Sequence, residues 1–176
     1  MCIDHGCGEQ ASRAIEYSQE TRASVLAAYH DEIWGETVFL KLAEHAPFAS
    51  EHEKLMVLAR LESETRARLK VLLARWGMST DEPDGKRQEG IERAKAYCAM
   101  SWLEFAAAFA RELPPYVARY RLLAESAAGA DKPVLRWLYE HERVLLEFFR
   151  CESGGESTRS LAQVTALMEA ASKQCP

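Results

Sequence analysis

The run Leu55, Leu58, Glu62, Thr65, Leu69, Leu72, Trp76 advances by three and four residues without a break. Side chains at that spacing lie along one face of an α-helix, whereas a half-buried strand alternates every second residue. The same steps recur in Val134, Leu138, His141, Leu145, Phe148 and in Tyr29, Ile33, Glu36, Leu40, Ala43, and no β-branched alternating run occurs in the 176 residues. Several helices that each carry one apolar stripe can hide it only against one another, so the sequence predicts an all-α fold.

Helix-ending residues divide the chain. A first long helix is expected from about Glu9 to Glu44, before Pro47 in "HAPFAS". A second opens at Ser50 with Glu53 in capping-box spacing and ends near Gly77. "GMSTDEPDGKRQEG", Gly77 to Gly90, reads as a long loop, followed by a short helix over Ile91 to Ala99. Ser101 and Glu104 cap the next helix, Pro114-Pro115 breaks it, and a further helix stops at Gly129. Asp131 and Pro133 start the helix ended by Gly154-Gly155, and "SLAQVTALMEAA" forms the last. Two long helices with a short link, a long crossover, and two more helices with a short link match the connectivity of a four-helix bundle.

At 48% hydrophobic and 28% charged residues the chain has an ordinary globular composition, expected as one domain over residues 9–173 after a flexible segment 1–8. A net charge of −5 with interspersed signs argues against a nucleic-acid partner, and no apolar run of spanning length argues against a membrane. The start "MCIDHGCGEQ" lacks the basic and apolar regions of a secretory signal, so a cytoplasmic location is expected. Cys2, Cys7, Cys98, Cys151 and Cys175 are odd in number and scattered, which suits reduced thiols; Cys2, His5 and Cys7 have no second pair to complete a zinc site. A homodimer is the commonest assembly for such a chain.

The chemistry lies in the polar residues within the stripes. Glu62 and Thr65 sit among leucines, Glu36 sits in the middle of the first stripe, and His141 is on the seam of the last. Glu140 belongs to the outward face, and Glu142 to the edge of a broad buried one. A carboxylate in an apolar seam has to be paired, protonated or bound to a cation.

The phrases "DEIWGETVFLKLAE", "LARLESETRARL" and "LYEHERVLLEFFRCE", in this order around a long crossover, resemble ferritin-like and rubrerythrin-like helical proteins. The resemblance covers roughly Ala28 to Glu152 and implies a ferritin-like four-helix bundle. Members with a dimetal site take one Glu from each of two helices and a Glu-x-x-His from each of the other two. On that pattern Glu36 matches the single Glu of the first helix, Glu62 the Glu of the first Glu-x-x-His, and His141 the His of the second. Thr65 stands where the first His belongs and Leu138 where the last Glu belongs, and the helix after Pro115 offers Tyr116 and Tyr120 on its apolar face. An incomplete site of this kind implies a single iron, manganese or zinc ion on Glu36, Glu62 and His141, with water, Glu32 or Glu142 completing the shell. If the chain is an enzyme, it would be an iron- or manganese-dependent oxidoreductase acting on an unspecified small molecule. The competing readings are a metal-free hydrogen-bonded cluster, a complete dimetal centre with donors displaced by a turn, and a dimeric interaction module anchored by Trp34, Trp102, Trp137 or Phe148-Phe149.

Overall fold

The computed structural model describes residues 17–173, without the side chains of 171 and 172. The expected flexible segment 1–8, the Cys2, His5 and Cys7 grouping, and Cys175 lie outside the described residues. Seven α-helices and no strand occur among the described residues: α1 (Gln19–Ala43), α2 (His52–Arg75), α3 (Lys86–Tyr97), α4 (Trp102–Glu112), α5 (Pro114–Ser126), α6 (Lys132–Gly154) and α7 (Ala162–Ser172). The all-α expectation holds. No described helix is long and apolar enough to cross a membrane.

The boundaries show which local signals acted. Ser101 accepts the Glu104 amide while the Glu104 carboxylate accepts from the Ser101 amide, the expected capping box. Gly77 and Gly155 take the left-handed conformation just past α2 and α6, where an L side chain would be strained. Three expectations are corrected. Tyr17 and Ser18 are not helical, and α1 begins after Ser18, whose hydroxyl accepts the Thr21 amide. The Ser50–Glu53 capping box does not form; Ala46–Glu51 is a 3-10 turn running directly into α2, and the Ser50 hydroxyl donates to Glu51. Finally, α3 starts at Lys86, inside the segment read as loop, and Gly90 is a helical residue rather than a helix breaker. A Cβ on Gly90 would lie 3.0 Å from the Trp34 carbonyl oxygen and from Thr37 Cβ, so the missing side chain lets α3 lie against α1.

Side-chain pairs fix the directions. Ala43 with His52, Gly35 with Glu62 and Arg22 with Trp76 make α1 and α2 antiparallel. Lys54 with Glu152, Glu62 with His141, Thr65 with Trp137 and Arg75 with Asp131 make α2 and α6 antiparallel. The helices α4 and α5 are two pieces of one rod broken at Leu113-Pro114, and both pack on α6. Apolar residues form two clusters along this frame. One joins Val25, Tyr29, Ile33, Leu69, Leu72 and Leu138; the other is rich in aromatic rings, with Phe39, Phe105, Phe109 and Phe149 among them. Centroids of 4.6 Å for Phe109–Phe149 and 5.0 Å for Phe105–Phe109 give ring contacts beyond simple area burial. Between the two clusters, at mid-length of three helices, the core turns polar.

Candidate metal centre

That polar layer takes Glu32 from α1, Glu62 from α2 and His141 from α6. The three residues are 3%, 5% and 1% exposed. His141 lies between the two carboxylates, Nδ1 at 3.4 Å from Glu32 Oε2 and Nε2 at 3.4 Å from Glu62 Oε1. Neither ring nitrogen has a hydrogen-bond partner among the described residues, nor does Glu32 Oε2. One donor atom from each residue lies within 4.8 Å of the others.

These distances decide between two kinds of contact. An N–H···O hydrogen bond spans roughly 2.7 to 3.2 Å. Two ligands each about 2.1 Å from a common ion, at a tetrahedral angle, stand about 3.4 Å apart. Both separations at His141 exceed a hydrogen bond, and because the two ring nitrogens point apart, one of the two can be a ligand spacing around a single ion. An ion engages only one ring nitrogen at a time, and the other nitrogen keeps the carboxylate beside it as its hydrogen-bond acceptor, the usual way a ligating histidine is oriented.

The electrostatics show how incompletely the charges compensate one another. Burial, then the charge of Glu62 and a hydrogen bond with it, then the charges of Glu142 and Asp31, hold the Glu32 carboxyl well above the usual carboxylate range. Burial alone would push the His141 imidazole down, but the adjacent Glu62, with Glu142 behind it, carries it upward instead. Glu142, the next residue on α6, is pushed up to about 7 by burial, with His141 drawing it back and Glu62 adding to the rise. Its Oε2 is also buried without a hydrogen-bond partner.

Gly35 shapes the site through the side chain it lacks. A Cβ there would meet Glu62 Oε2 at 2.5 Å, so Glu62 occupies the volume that any other residue at position 35 would fill. Beside the carboxylates a cavity of about 280 Å³ opens, lined by Glu32, Glu62 and Glu142 with Phe39, Phe109 and Leu145.

Of the residues read from the sequence, Glu62 and His141 come together as expected and Glu36 does not join them. It faces α2 and α3 instead, 2.9 Å from Arg66 and 3.9 Å from Arg87. Tyr29, Ile33 and Ala43 of the expected α1 stripe are buried, but the buried face is broader and also takes in Val25, Ala28, Glu32, Gly35, Phe39 and Leu42, leaving Glu36 at its edge. Gly35 is the signal in the sequence: it counts as a gap in an apolar pattern, although it marks where the Glu62 carboxylate lies against α1. Thr65 accepts the Trp137 indole N–H at 2.8 Å, and Leu138 is fully buried among apolar neighbours, so neither stands empty in place of a ligand. Glu140 turns outward to Arg143, as its spacing predicts. The sequence reading missed Glu152, which is 4% exposed and held by Lys54, Trp102 and Ser160 at the far end of α6.

Comparison with family models, with curated proteins and with solved structures finds no match to this chain.

Proposed function

We propose that this chain is a ferritin-like metal-binding protein in which Glu32, Glu62 and His141 hold one iron, manganese or zinc ion. The observation that carries the reading is the set of orphaned atoms: both His141 nitrogens and Glu32 Oε2 are buried, face one another, and have no hydrogen-bond partner among the described residues. Buried polar atoms are nearly always satisfied, and an ion held by one His141 nitrogen and carboxylate oxygens leaves the other ring nitrogen to donate to the carboxylate beside it. Two carboxylates and an imidazole suit these three metals and leave coordination positions for water or a ligand. A bound ion of this set supplies Lewis acidity, and iron or manganese also supplies one-electron chemistry. The chain's own part is to hold the donors on three helices, to keep bulk water out with the apolar clusters on either side, and to bring Glu142, raised to about 7 by burial, into exchange with protons near neutral pH.

Elemental analysis of protein purified without an affinity tag tests this. About one equivalent of a transition metal is expected, lost on Glu62→Ala and His141→Ala with helicity retained, and kept on Glu36→Gln. Less than about a tenth of an equivalent after reconstitution would sink the metal reading. In that case Glu62→Leu and His141→Leu variants of unchanged stability would identify a dispensable polar cluster.

A further inference from the structure

The cavity beside the three donors supports an inference that goes beyond metal binding and does not require it. Five carboxylates line it: Asp31, Glu32, Glu62, Glu112 and Glu142. Four of them face a basic partner. Asp31 lies 3.0 Å from Lys86, Glu112 lies 3.0 Å from Arg93, and Glu32 and Glu62 flank His141. Glu142 has no ion pair among the described residues, is 8% exposed, and has its Oε2 buried without a hydrogen-bond partner. Charges on His141 and Arg119 reach it only through space.

Beside Glu142, the other four carboxylates and Lys86, the same space is lined by Phe39, Phe109, Leu113, Tyr116 and Leu145. A bare hard cation calls for about six oxygens, and of the five carboxylates here Asp31 and Glu112 are already taken by Lys86 and Arg93. An ammonium needs less: one carboxylate to accept its N–H groups and ring faces for its positive charge. A volume of about 280 Å³ is at the small end of ligand cavities, which limits the guest to a short hydrocarbon body.

We propose that this cavity binds a small organic amine in its ammonium form, its N–H groups donating to Glu142 and its hydrocarbon body lying against Phe109, Tyr116 and Leu145. Calorimetric titration of the chelator-treated chain at about pH 8 with benzylamine, and separately with benzyl alcohol, tests this. The two probes share shape and differ in charge. Benzylamine should bind at least tenfold more tightly than the alcohol, and Glu142→Gln should abolish that preference while keeping the helical circular dichroism and urea midpoint of a folded chain. Equal affinity for the two probes, binding of neither, or a preference that survives in Glu142→Gln overturns the proposal. So does loss of benzylamine binding in Glu62→Gln but not in Glu142→Gln, which would place the ammonium among the three donors instead. Because the chelator-treated chain is used, failure to bind metal leaves this result standing, and the two readings fail separately.

Discussion

Replacing Gly35 by alanine tests whether shape holds Glu62 in place. The added Cβ would lie 2.5 Å from Glu62 Oε2 and 2.7 Å from its carboxyl carbon, whereas ordinary contact begins at 3.4 Å. Oε2 must therefore move by 0.9 Å, the difference between 3.4 and 2.5, and the carboxyl carbon by 0.7 Å, the difference between 3.4 and 2.7, carrying Oε1, the oxygen beside His141, with them. Metal-ligand distances tolerate about 0.2 Å, so the move is several times what a ligand can absorb. Backbone stability should barely suffer, because alanine in a helix interior is favoured over glycine by about 1 kcal/mol and the displaced group is the mobile end of a side chain. The expected result is a fold of normal or slightly raised stability whose affinity for zinc falls by about 100-fold, the upper end of what disturbed supporting contacts cause. Competition against a chromophoric chelator measures the affinity, and urea unfolding of the chelator-treated chain measures the fold. Affinity within about threefold of the parent, in a folded variant, would refute the assignment of Glu62 as a ligand. A loss of more than about 2 kcal/mol without metal would show instead that the strain falls on α1–α2 packing and not on the carboxylate.

Three further outcomes follow from contacts described above. Glu142 titrates at about 7 in the folded chain against 4.5 for an unperturbed carboxyl, so the folded state holds an extra proton between those values. Stability of the chelator-treated chain should then fall as pH rises through that window, by up to about 3 kcal/mol from this residue, and Glu142→Gln should remove that share when urea midpoints at pH 5 and pH 8 are compared. Trp137→Phe removes the donor to the fully buried Thr65 hydroxyl and the indole face on which Arg68 lies at 4.0 Å, so thermal unfolding should report a loss of about 1 to 2 kcal/mol. Lys54→Ala strips the ammonium from Glu152, which lies 2.8 Å away and is 4% exposed, and urea unfolding should register about 3 kcal/mol of destabilisation.

The helices were legible because their signals are local. Stripe spacing, the Ser101–Glu104 box and the glycines after α2 and α6 each act within one or two turns. The inward placement of His141 beside an outward Glu140 was legible for the same reason, since neighbouring residues on a helix point about 100° apart. The phase of α1 was not. Residues of both registers of its stripe are buried, and the side that meets the triad is marked by the Glu62 side chain at Gly35, a contact between residues on different helices. Glu152 escaped for a similar reason, because its partners Lys54, Trp102 and Ser160 come from three separate stretches of chain. Gly90 is the complementary case: a residue read as punctuation serves as a packing surface for α1.

The break at Leu113-Pro114 separates two tasks along the chain. Glu32, Glu62 and His141 come from α1, α2 and α6, whereas Phe109, Leu113 and Tyr116, which wall the cavity together with Phe39 of α1 and Leu145 of α6, come from α4, the joint and the start of α5. Variation at positions 109–116 would alter which molecules reach the carboxylates without touching any side chain of the triad. Over evolutionary time a lineage could thus reshape this cavity by drift in a short stretch of chain while Glu32, Glu62 and His141 stay fixed.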